Sequence, residues 1–204
     1  MLVKATNIEK MDALLKPFRS FLTDRISIAV AVSGGADSMA LCLLLADWAK
    51  KNQHKIVALT VDHGLRKNAA KEALKVSKWM AVWGINHKIL LWDGEKPITG
   101  IQAAARNARY SLMAQWCREN KHTVLMTAHH LEDQVETFLL RVERGSGLDG
   151  LASMSSVVGL EGVILIRPLL DVSKAFLREF LIERRQTWIE DPSNNNLAFQ
   201  RTRI

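Results

Sequence analysis

Two kinds of hydrophobic pattern alternate along this chain. Short apolar runs rich in β-branched residues predict buried strands, and apolar residues spaced three and four apart predict helices with one buried face. The runs predict strands at 26–32, 56–61, 87–92, 123–128 and 163–170. The spacing predicts helices at 39–50, 69–82, 100–120, 131–144 and 173–185. Elements in this order predict an α/β fold, a parallel sheet with helices on both faces.

The same spacing predicts a buried face for each of three helices. A stretch rich in glycine predicts a loop. In the lead-in 1–25, an amphipathic helix is marked by Ile8, Met11, Leu15, Phe18 and Leu22. One face of the helix 100–120 carries Ile101, Ala104, Ala105, Ala108, Leu112 and Trp116. In the helix 131–144, the residues expected to face inward are Leu131, Val135, Phe138, Leu139 and Val142. The glycine-bearing stretch 145–162 is expected to form a mobile loop over the sheet edge.

Length and composition are those of an ordinary globular domain. The 204 residues suit one domain, and 48% of them are hydrophobic and 24% charged. No apolar run reaches membrane-spanning length, and the N-terminus lacks the pattern of a signal peptide. Cys42 and Cys117 lie in predicted helices without a CxxC motif, which predicts buried thiols in a reducing, cytoplasmic setting. The net charge of +7 suits a polyanionic partner such as nucleic acid, and nothing in the sequence indicates an oligomeric state.

The turn between the first strand and its helix has the composition of a phosphate-binding site. It reads Ser33-Gly34-Gly35-Ala36-Asp37-Ser38. Its backbone N–H groups lie beside the positive end of a helix dipole, and its glycines allow an anion to approach closely. Asp37 would repel a phosphate, so we interpret it as a helix cap or as a ligand of Mg²⁺ bridging carboxylate and phosphate. An ordinary capped turn is the alternative for the whole segment.

Polar groups also follow the second strand and line one helix face. The backbone of Val61 is placed to hydrogen-bond an adenine edge, and His63 or Arg66 to face ribose or phosphates, although a plain strand end has the same pattern. Arg106 and Arg109 share a helix face with Gln102. Two guanidinium groups there suit a transferring phosphate or an RNA backbone, with a solvated face as the alternative.

A third polar segment, 129–137, spans a strand end and a helix start. Asp133 and Glu136 are one helical turn apart, so their carboxylates share a face. Like charges placed together call for a cation, which could be a metal ion, a substrate ammonium or an arginine. The pair His129-His130 lacks the spacing of a zinc site. Acidic residues in a first helical turn also complement the helix dipole, so capping remains an alternative.

These segments resemble known families. The turn 33–38 is similar to the SGGxDS pyrophosphate loop of PP-loop ATP pyrophosphatases, which cleave ATP between the α- and β-phosphates to adenylate a substrate. It lacks the Gly-Lys-Ser/Thr ending of a Walker A loop and the spaced glycines of a dinucleotide fingerprint. Further segments resemble the tRNA(Ile)-lysidine synthase family in the family's order: 61–66, 105–110, 129–137, 144–148, 167–170, 188–194 and 201–204.

The resemblance implies an ATP-dependent carbon–nitrogen ligase acting on the wobble cytidine of a tRNA(Ile) with a CAU anticodon. ATP would adenylate the C2 oxygen of that cytosine and release pyrophosphate, and the amino group of free lysine would then displace AMP. The implied site residues are Ser33, Gly34, Gly35, Ala36, Asp37, Ser38, Val61, His63, Arg66 and Arg109 for ATP, Asp37 for Mg²⁺, Arg106 for developing charge, and Asp133 and Glu136 for lysine and its deprotonation.

Two other functions remain open at this stage. A PP-loop enzyme of the 2-thiocytidine synthetase type would install sulfur, but neither Cys42 nor Cys117 lies in a suitable motif. A non-catalytic adenine-nucleotide-binding module would not need the acidic pair and the arginine face beside one crevice. The segment 201–204 resembles one that in the family leads into C-terminal tRNA-binding regions, so we expect residues 1–204 to be the catalytic domain without them.

Overall fold

A computed structural model of the chain describes residues 6–23, 25–65, 68–93, 96–143, 145 and 154–190. The strands are β1 (Ser27–Ala31), β2 (Lys55–Asp62), β3 (Asn86–Leu91), β4 (Val124–Met126), β5 (Val157–Leu160) and β6 (Val163–Ile166). The helices are α1 (Asn7–Leu15), α2 (Ala36–Lys51), α3 (Ala69–Val82), α4 (Ile101–Glu119), α5 (Leu131–Glu143) and α6 (Lys174–Glu183). Within these ranges no helix is long and apolar enough to cross a membrane.

The described strands form one sheet in the order β3-β2-β1-β4-β6-β5. Neighbouring strands are parallel except β5 and β6, which are antiparallel. The predicted α/β fold with a parallel sheet is therefore confirmed, with one antiparallel edge strand added. In the sheet, β2 and β3 lie on one side of β1, and β4 and β6 lie on its other side. The crevice outside the carboxyl ends of β1 and β4 is thus where such a sheet binds a ligand.

Helices bury apolar side chains on both faces of the sheet. Alternate residues of β1 point to opposite faces, so Ile28 and Val30 join the larger cluster with α1, α2 and α6, whereas Ala29 joins the smaller one beneath α4. Cys42 and Cys117 belong to these two clusters and are buried free thiols, as the sequence predicts. The first turn of α2 is thereby held on a rigid, buried helix.

Strand β5 corrects the prediction of a loop over 145–162. Val157–Leu160 pairs with β6 through a two-residue turn at Glu161 and Gly162, whose φ angles are 47° and 82°. Positive φ at both turn positions is typical of a tight hairpin whose twist matches its strands. The prediction therefore fails for 157–162, and residues 146–153 lie outside the described part of the chain.

Two helical predictions were wrong in detail. The N-terminal helix ends at Leu15 and continues as a 3₁₀ helix over Lys16–Phe21, because Pro17 has no backbone N–H to extend the α-helical ladder. Helix α4 buries Met113, Ala114 and Cys117, whereas Ile101 is exposed.

Helix α5 departs further from its prediction. It has no buried residue, and the side chains expected to face inward are between 38% and 51% exposed: Leu131, Val135, Phe138, Leu139 and Val142. Hydrophobic spacing shows that a helix has an apolar stripe, but it does not show whether the fold brings a partner to that stripe.

Candidate active site

A cavity of about 410 Å³ opens at the carboxyl ends of β1, β2 and β4. The PP loop, Ser33–Ser38, forms its floor, and α4 and the start of α5 form two of its sides. Polar side chains reach it from five segments of the chain that are distant in sequence. They are Ser33, Asp37, Ser38, Thr60, His63, Glu72, Arg109, Tyr110, Thr127, His129 and Asp133.

The PP loop is closed on itself by its two serines. The Ser38 hydroxyl accepts from the Ser33 backbone N–H at 3.2 Å and donates to the Gly35 carbonyl at 3.0 Å, and the two serine oxygens lie 3.1 Å apart. Gly35 is the N-cap of α2 and has no side chain to occupy the helix N-terminus. The orphan N–H groups of the first turn therefore remain available to an anion.

Gly34 fixes how the PP loop packs. Its φ is 89°, and a Cβ there would lie 2.6 Å from Ile189 Cδ1 and 2.7 Å from Val76 Cγ2. The Ile189 backbone N–H donates to the Gly34 carbonyl at 2.9 Å. The loop is thus held between α3 and the segment after α6, and glycine satisfies both the backbone angle and the close approach.

Asp37 lies in the first turn of α2 and is not its N-cap, so the capping interpretation is wrong in that form. Burial alone would raise the pKa of Asp37, but the His130 ring, Lys174 and Arg178 outweigh it and lower the pKa below its usual value. Asp37 Oδ2 lies 3.4 Å from His130 Nε2. Its other oxygen, Oδ1, is buried and accepts no hydrogen bond from the described residues. An ionised carboxylate with an unused buried oxygen fits a cation shared with a bound phosphate.

His130 is surrounded by carboxylates. It is 4% exposed, and its ring nitrogens lie 3.0 Å from Glu132 Oε2, 3.4 Å from Asp37 Oδ2 and 3.6 Å from Asp133 Oδ2. Burial would lower the pKa of His130, but these carboxylates raise it above its usual value. We call Asp37, Glu132 and Asp133 the acidic cluster. The sequence argument considered His130 only as a zinc ligand and not as a partner of these carboxylates.

Asp133 also stabilises the start of α5. Its Oδ2 accepts from the His130 backbone N–H at 3.0 Å, in the manner of a capping-box carboxylate. Asp133 therefore both caps α5 and lines the cavity. Glu136, one turn further on, is exposed and does not line the cavity. The two carboxylates that the sequence places on one face thus meet different surroundings.

His129 has the opposite environment to His130. Its Nδ1 lies 3.0 Å from the Thr127 hydroxyl. Burial, followed by the charges of Arg167, Arg106 and Arg109, lowers the pKa of His129 to about 3. Its imidazole is therefore neutral at pH 7. Arg106 and Arg109 flank the Tyr110 ring at 5.1 and 5.4 Å, as their predicted shared face requires, but Arg106 lies outside the cavity lining.

Arg167 is a buried residue that sequence reasoning noted only as part of a motif. It follows β6, is 9% exposed, and donates from Nη1 to the Ser155 carbonyl at 2.6 Å. Its Nε is buried and has no hydrogen-bond partner within the described ranges. The available signal was an arginine inside the apolar run predicted as the last strand, since a buried charge needs a partner. We call Arg106, Arg109 and Arg167 the basic cluster.

The remaining sequence predictions divide simply. Eight of the predicted site residues line this cavity: Ser33, Gly35, Asp37, Ser38, Val61, His63, Arg109 and Asp133. Gly34 and Ala36 belong to the same turn as Ser33. Arg66 lies outside the described residues. Across the part that the structure describes, no group of three or more His, Cys, Asp or Glu side chains is arranged to hold a metal ion. A Mg²⁺ held by one carboxylate and substrate phosphates does not need such a group.

Comparison with known proteins agrees with this geometry. The sequence pattern of the PP-loop domain matches residues 4–204. The chain belongs to the PP-loop domain family. Among curated relatives, this PP-loop domain is 46% identical over 177 residues to the tRNA(Ile)-lysidine synthase of Wolbachia pipientis wMel, covering 86% of the chain and 41% of the relative. It is 48% identical over 180 residues to that of Rhodopseudomonas palustris, covering 87% and 52%. It therefore spans about half the length of these relatives, and the resemblance found in the sequence is confirmed.

Solved structures support the fold. A U34-tRNA thiolase from Methanococcus maripaludis, solved with its 4Fe-4S cluster, matches with a TM-score of 0.77 at 18% identity, over 91% of this PP-loop domain and 67% of that chain. A phosphoadenylyl-sulfate reductase from Candida auris, in a phosphate complex, matches with a TM-score of 0.53 at 11% identity, over 92% and 84%. At these identities the likeness shows the fold alone.

Proposed function

We propose that this PP-loop domain uses ATP to adenylate the wobble cytidine of a tRNA(Ile) with a CAU anticodon and then joins free lysine to it, in the cytoplasm. The cavity carries the proposal, because the anion-binding loop, the guanidinium group of Arg109 and the carboxylates of Asp37 and Asp133 all line one space. The names of the relatives supply the substrates. Residues 1–204 would form the catalytic domain of that enzyme.

The PP loop would bind the phosphates of ATP. The N–H groups at the start of α2 and the Ser33 hydroxyl would donate to the pyrophosphate, and the helix dipole favours its charge. The Ser38 hydroxyl donates to the Gly35 carbonyl and would have to rotate to join them. The backbone of Val61 and the ring of His63, at the end of β2, border the same cavity and would face adenine and ribose. Asp37 Oδ1 would hold Mg²⁺, which supplies charge neutralisation of the phosphates when bound.

The first step forms a bond between the C2 oxygen of cytosine and the α-phosphorus, and it breaks the bond from that phosphorus to the pyrophosphate. Negative charge moves onto the departing pyrophosphate, where the PP loop donors lie. Arg109 lines the cavity, and Arg106 lies beside Tyr110, which also lines it, so both guanidinium groups would stabilise charge on the α-phosphate.

In the second step the lysine amine attacks C2 and AMP leaves with the C2 oxygen. An ammonium cannot attack, so it must first lose a proton. Asp133 lines the cavity and would hold the amine and assist its deprotonation. His129 lies in the same cavity, but with a pKa of about 3 it is too weak a base to take that proton. Glu136 is exposed on the next turn of α5, so we assign it a secondary role in guiding lysine to the cavity.

The sulfur-transfer alternative is disfavoured by this chain's two cysteines. Cys42 and Cys117 are fully buried, and burial raises the pKa of each thiol to about 12. Sulfur transfer and redox chemistry use thiolates that are accessible and of low pKa.

The test measures pyrophosphate release and lysine incorporation separately, with a tRNA(Ile) transcript carrying CAU. We expect both products, and the Asp133→Asn variant should keep pyrophosphate release but use lysine ten- to a hundredfold less efficiently, because a charge-assisted contact to an ammonium is worth roughly 1.5–3 kcal/mol. Glu143→Gln, at the exposed end of α5, is the matched control. Pyrophosphate release that needs no tRNA, or no transfer of lysine by the wild type, would contradict the proposed function. Loss of the first step in Asp133→Asn would instead place that residue with ATP.

A further inference from the structure

Helix α3 carries a line of exposed lysines on its outermost face. Val76 and Met80 of this helix are buried in the core. Lys71, Lys75 and Lys78 recur four and three residues apart on the side opposite to those buried residues, and all three are exposed. We call these three residues the lysine stripe. At 1.5 Å per residue, the stripe runs for roughly 10 Å along the helix.

The charges of the lysine stripe are unfavourable for the helix itself. Like charges four residues apart, as in Lys71 and Lys75, destabilise a helix, and a cation in the first turn opposes the helix dipole. Glu72 is the acidic residue of α3, and it lines the cavity instead. Across the described ranges no carboxylate pairs with the three ammonium groups, although Lys75 Nζ lies 5.0 Å from the Trp79 ring centre. Three cations kept together despite this repulsion are suited to an anionic partner.

The lysine stripe begins at the cavity. Ala69, Glu72 and Ala73 line the cavity, so Lys71 lies in the helical turn that borders it. Because α3 connects the carboxyl end of β2 to the amino end of the parallel strand β3, Lys75 and Lys78 lie progressively farther from the opening. A polyanion bound along the stripe therefore leads directly into the cavity.

Positive charge approaches the cavity from both faces of the sheet. Helix α3 packs into the larger core cluster, whereas α4, which carries the exposed Arg106, packs into the smaller one on the other face. A base that enters the cavity must leave its stack, and its strand continues past the opening in both directions. An RNA strand held in this way has phosphates on each side of the opening. A positive surface on each side suits that arrangement better than it suits a small anion.

We propose that the lysine stripe binds the phosphates of the RNA strand beside the cytidine that enters the cavity. This inference rests on the proposed function, and it adds a surface for the RNA backbone on the face of the sheet opposite to Arg106. Ammonium groups that contact phosphates position a strand without reading its bases. The stripe therefore contributes affinity and not choice of anticodon.

Filter binding of an anticodon stem–loop RNA across a salt series tests this surface. The combined variant Lys71→Gln, Lys75→Gln and Lys78→Gln should bind at least tenfold more weakly at about 0.1 M salt. The slope of log affinity against log salt should become shallower by roughly 2, since each phosphate contact on a single strand contributes about 0.7. Stem–loops with CAU and with GAA anticodons should show the same loss. ATP affinity should not change, because none of the three lysines lines the cavity.

The combined variant Lys50→Gln, Lys51→Gln and Lys55→Gln is the matched control. These lysines are exposed at the end of α2 and the start of β2, at the edge of the sheet opposite to the cavity, and the control removes the same number of charges. It should keep the slope of the wild type. An equal loss in the control would mean that net charge alone holds the RNA, and an unchanged slope in the α3 variant would mean that another surface does. Either result would overturn the proposal.

Acetylation of the wild-type chain, read by mass spectrometry, tests the surface without any variant. The stem–loop should slow modification of the lysine stripe and leave the three control lysines unaffected. Equal modification of the stripe with and without RNA would overturn the proposal even if a variant failed to fold. Lysine incorporation into tRNA is measured separately. Incorporation without protection of the stripe would overturn this surface and leave the proposed reaction standing, whereas protection without incorporation would do the reverse.

Discussion

At the scale of single residues, the adjacent histidines His129 and His130 have opposite electrostatic surroundings. His130 is held among carboxylates and its pKa is raised, whereas His129 is held by burial and arginines and its pKa is about 3. The His129 side chain lines the cavity, whereas the next side chain along, His130, lies among Asp37, Glu132 and Asp133. The surroundings thus favour the protonated form of the His130 ring and keep the His129 ring neutral at pH 7.

The depressed pKa of His129 makes stability depend on pH. The unfolded chain binds a proton at this ring near pH 6.5, but the folded chain does not bind one until about pH 3. Below pH 6.5 the unfolded state therefore gains protons, and the wild type should lose stability by up to about 1.4 kcal/mol per pH unit through this residue. The slope is half of that at pH 6.5 and falls to about a tenth of it at pH 7.5.

The measurement is urea unfolding of the wild type and His129→Gln at pH 5.5, 6.5 and 7.5. As the pH falls, the stability of the wild type relative to the variant should decline by about 0.4 kcal/mol from pH 7.5 to 6.5 and by about 1 kcal/mol from pH 6.5 to 5.5. His122→Gln, a histidine packed against Trp116 away from the cavity, controls for the loss of an imidazole. If the wild type instead gains stability relative to the variant as the pH falls, His129 is protonated in the folded chain.

The sequence placed single residues correctly within the fold where their neighbours lie close along the chain. The PP loop follows directly from a strand, two glycines and a helix start, and Asp133 from its place in a first helical turn. Arg167 could not be assigned in this way, because its relation to His129 arises from the pairing of β4 with β6. The charge states of both histidines likewise depend on residues from several elements.

At the scale of elements, the segment after α6 acts as a strap over the PP loop. Gln186 is buried and accepts from Trp83 Nε1 at 2.7 Å, which fixes the segment to the end of α3. Three residues on, Ile189 contacts Gly34. No pattern of period two or 3.6 marks such a segment, so hydrophobic spacing could not predict it, just as it could not predict what covers α5.

Gly34→Ala should disturb the PP loop beyond the strain of its backbone angle. The added methyl group meets Ile189 and Val76 at under 3 Å, so the loop must shift away from the strap. We expect a loss of about 2–4 kcal/mol in stability and at least a tenfold loss of ATP affinity. Gly84→Ala is the matched control, since Gly84 has a φ of 66° and open space around its Cβ position. It should lose about 1 kcal/mol and keep its ATP affinity.

Urea unfolding and calorimetric titration with ATP give both quantities for each variant. Equal effects of the two substitutions would show that positive φ alone, and not the strap, limits residue 34. Unchanged ATP affinity in Gly34→Ala would contradict the proposal that the PP loop binds the phosphates of ATP.

At the scale of the whole molecule, the net charge of +7 and the placement of the cavity act together. A positive field attracts the phosphate backbone of RNA without regard to its sequence, and contacts to phosphates release counterions. The sequence alone predicts this attraction and the parallel sheet, because both depend on composition and on the order of elements. It does not predict which face meets the RNA. The exposed side chain of Arg106 lies against the ring of Tyr110, which lines the cavity, and we call this surface the rim.

Binding of tRNA to this chain should therefore weaken steeply as salt rises, and Arg106 should contribute to that dependence. The logarithm of affinity falls against the logarithm of salt by about 0.7–0.9 for each phosphate contact. Arg106→Gln should reduce the slope by about that amount. Arg19→Gln should leave the slope unchanged, because Arg19 lies near Lys51, at the end of α2 opposite the PP loop. Filter binding across a salt series gives the slopes. Equal slopes for the wild type and Arg106→Gln would mean that the RNA backbone does not pass this rim, and that the cytidine enters the cavity from another side.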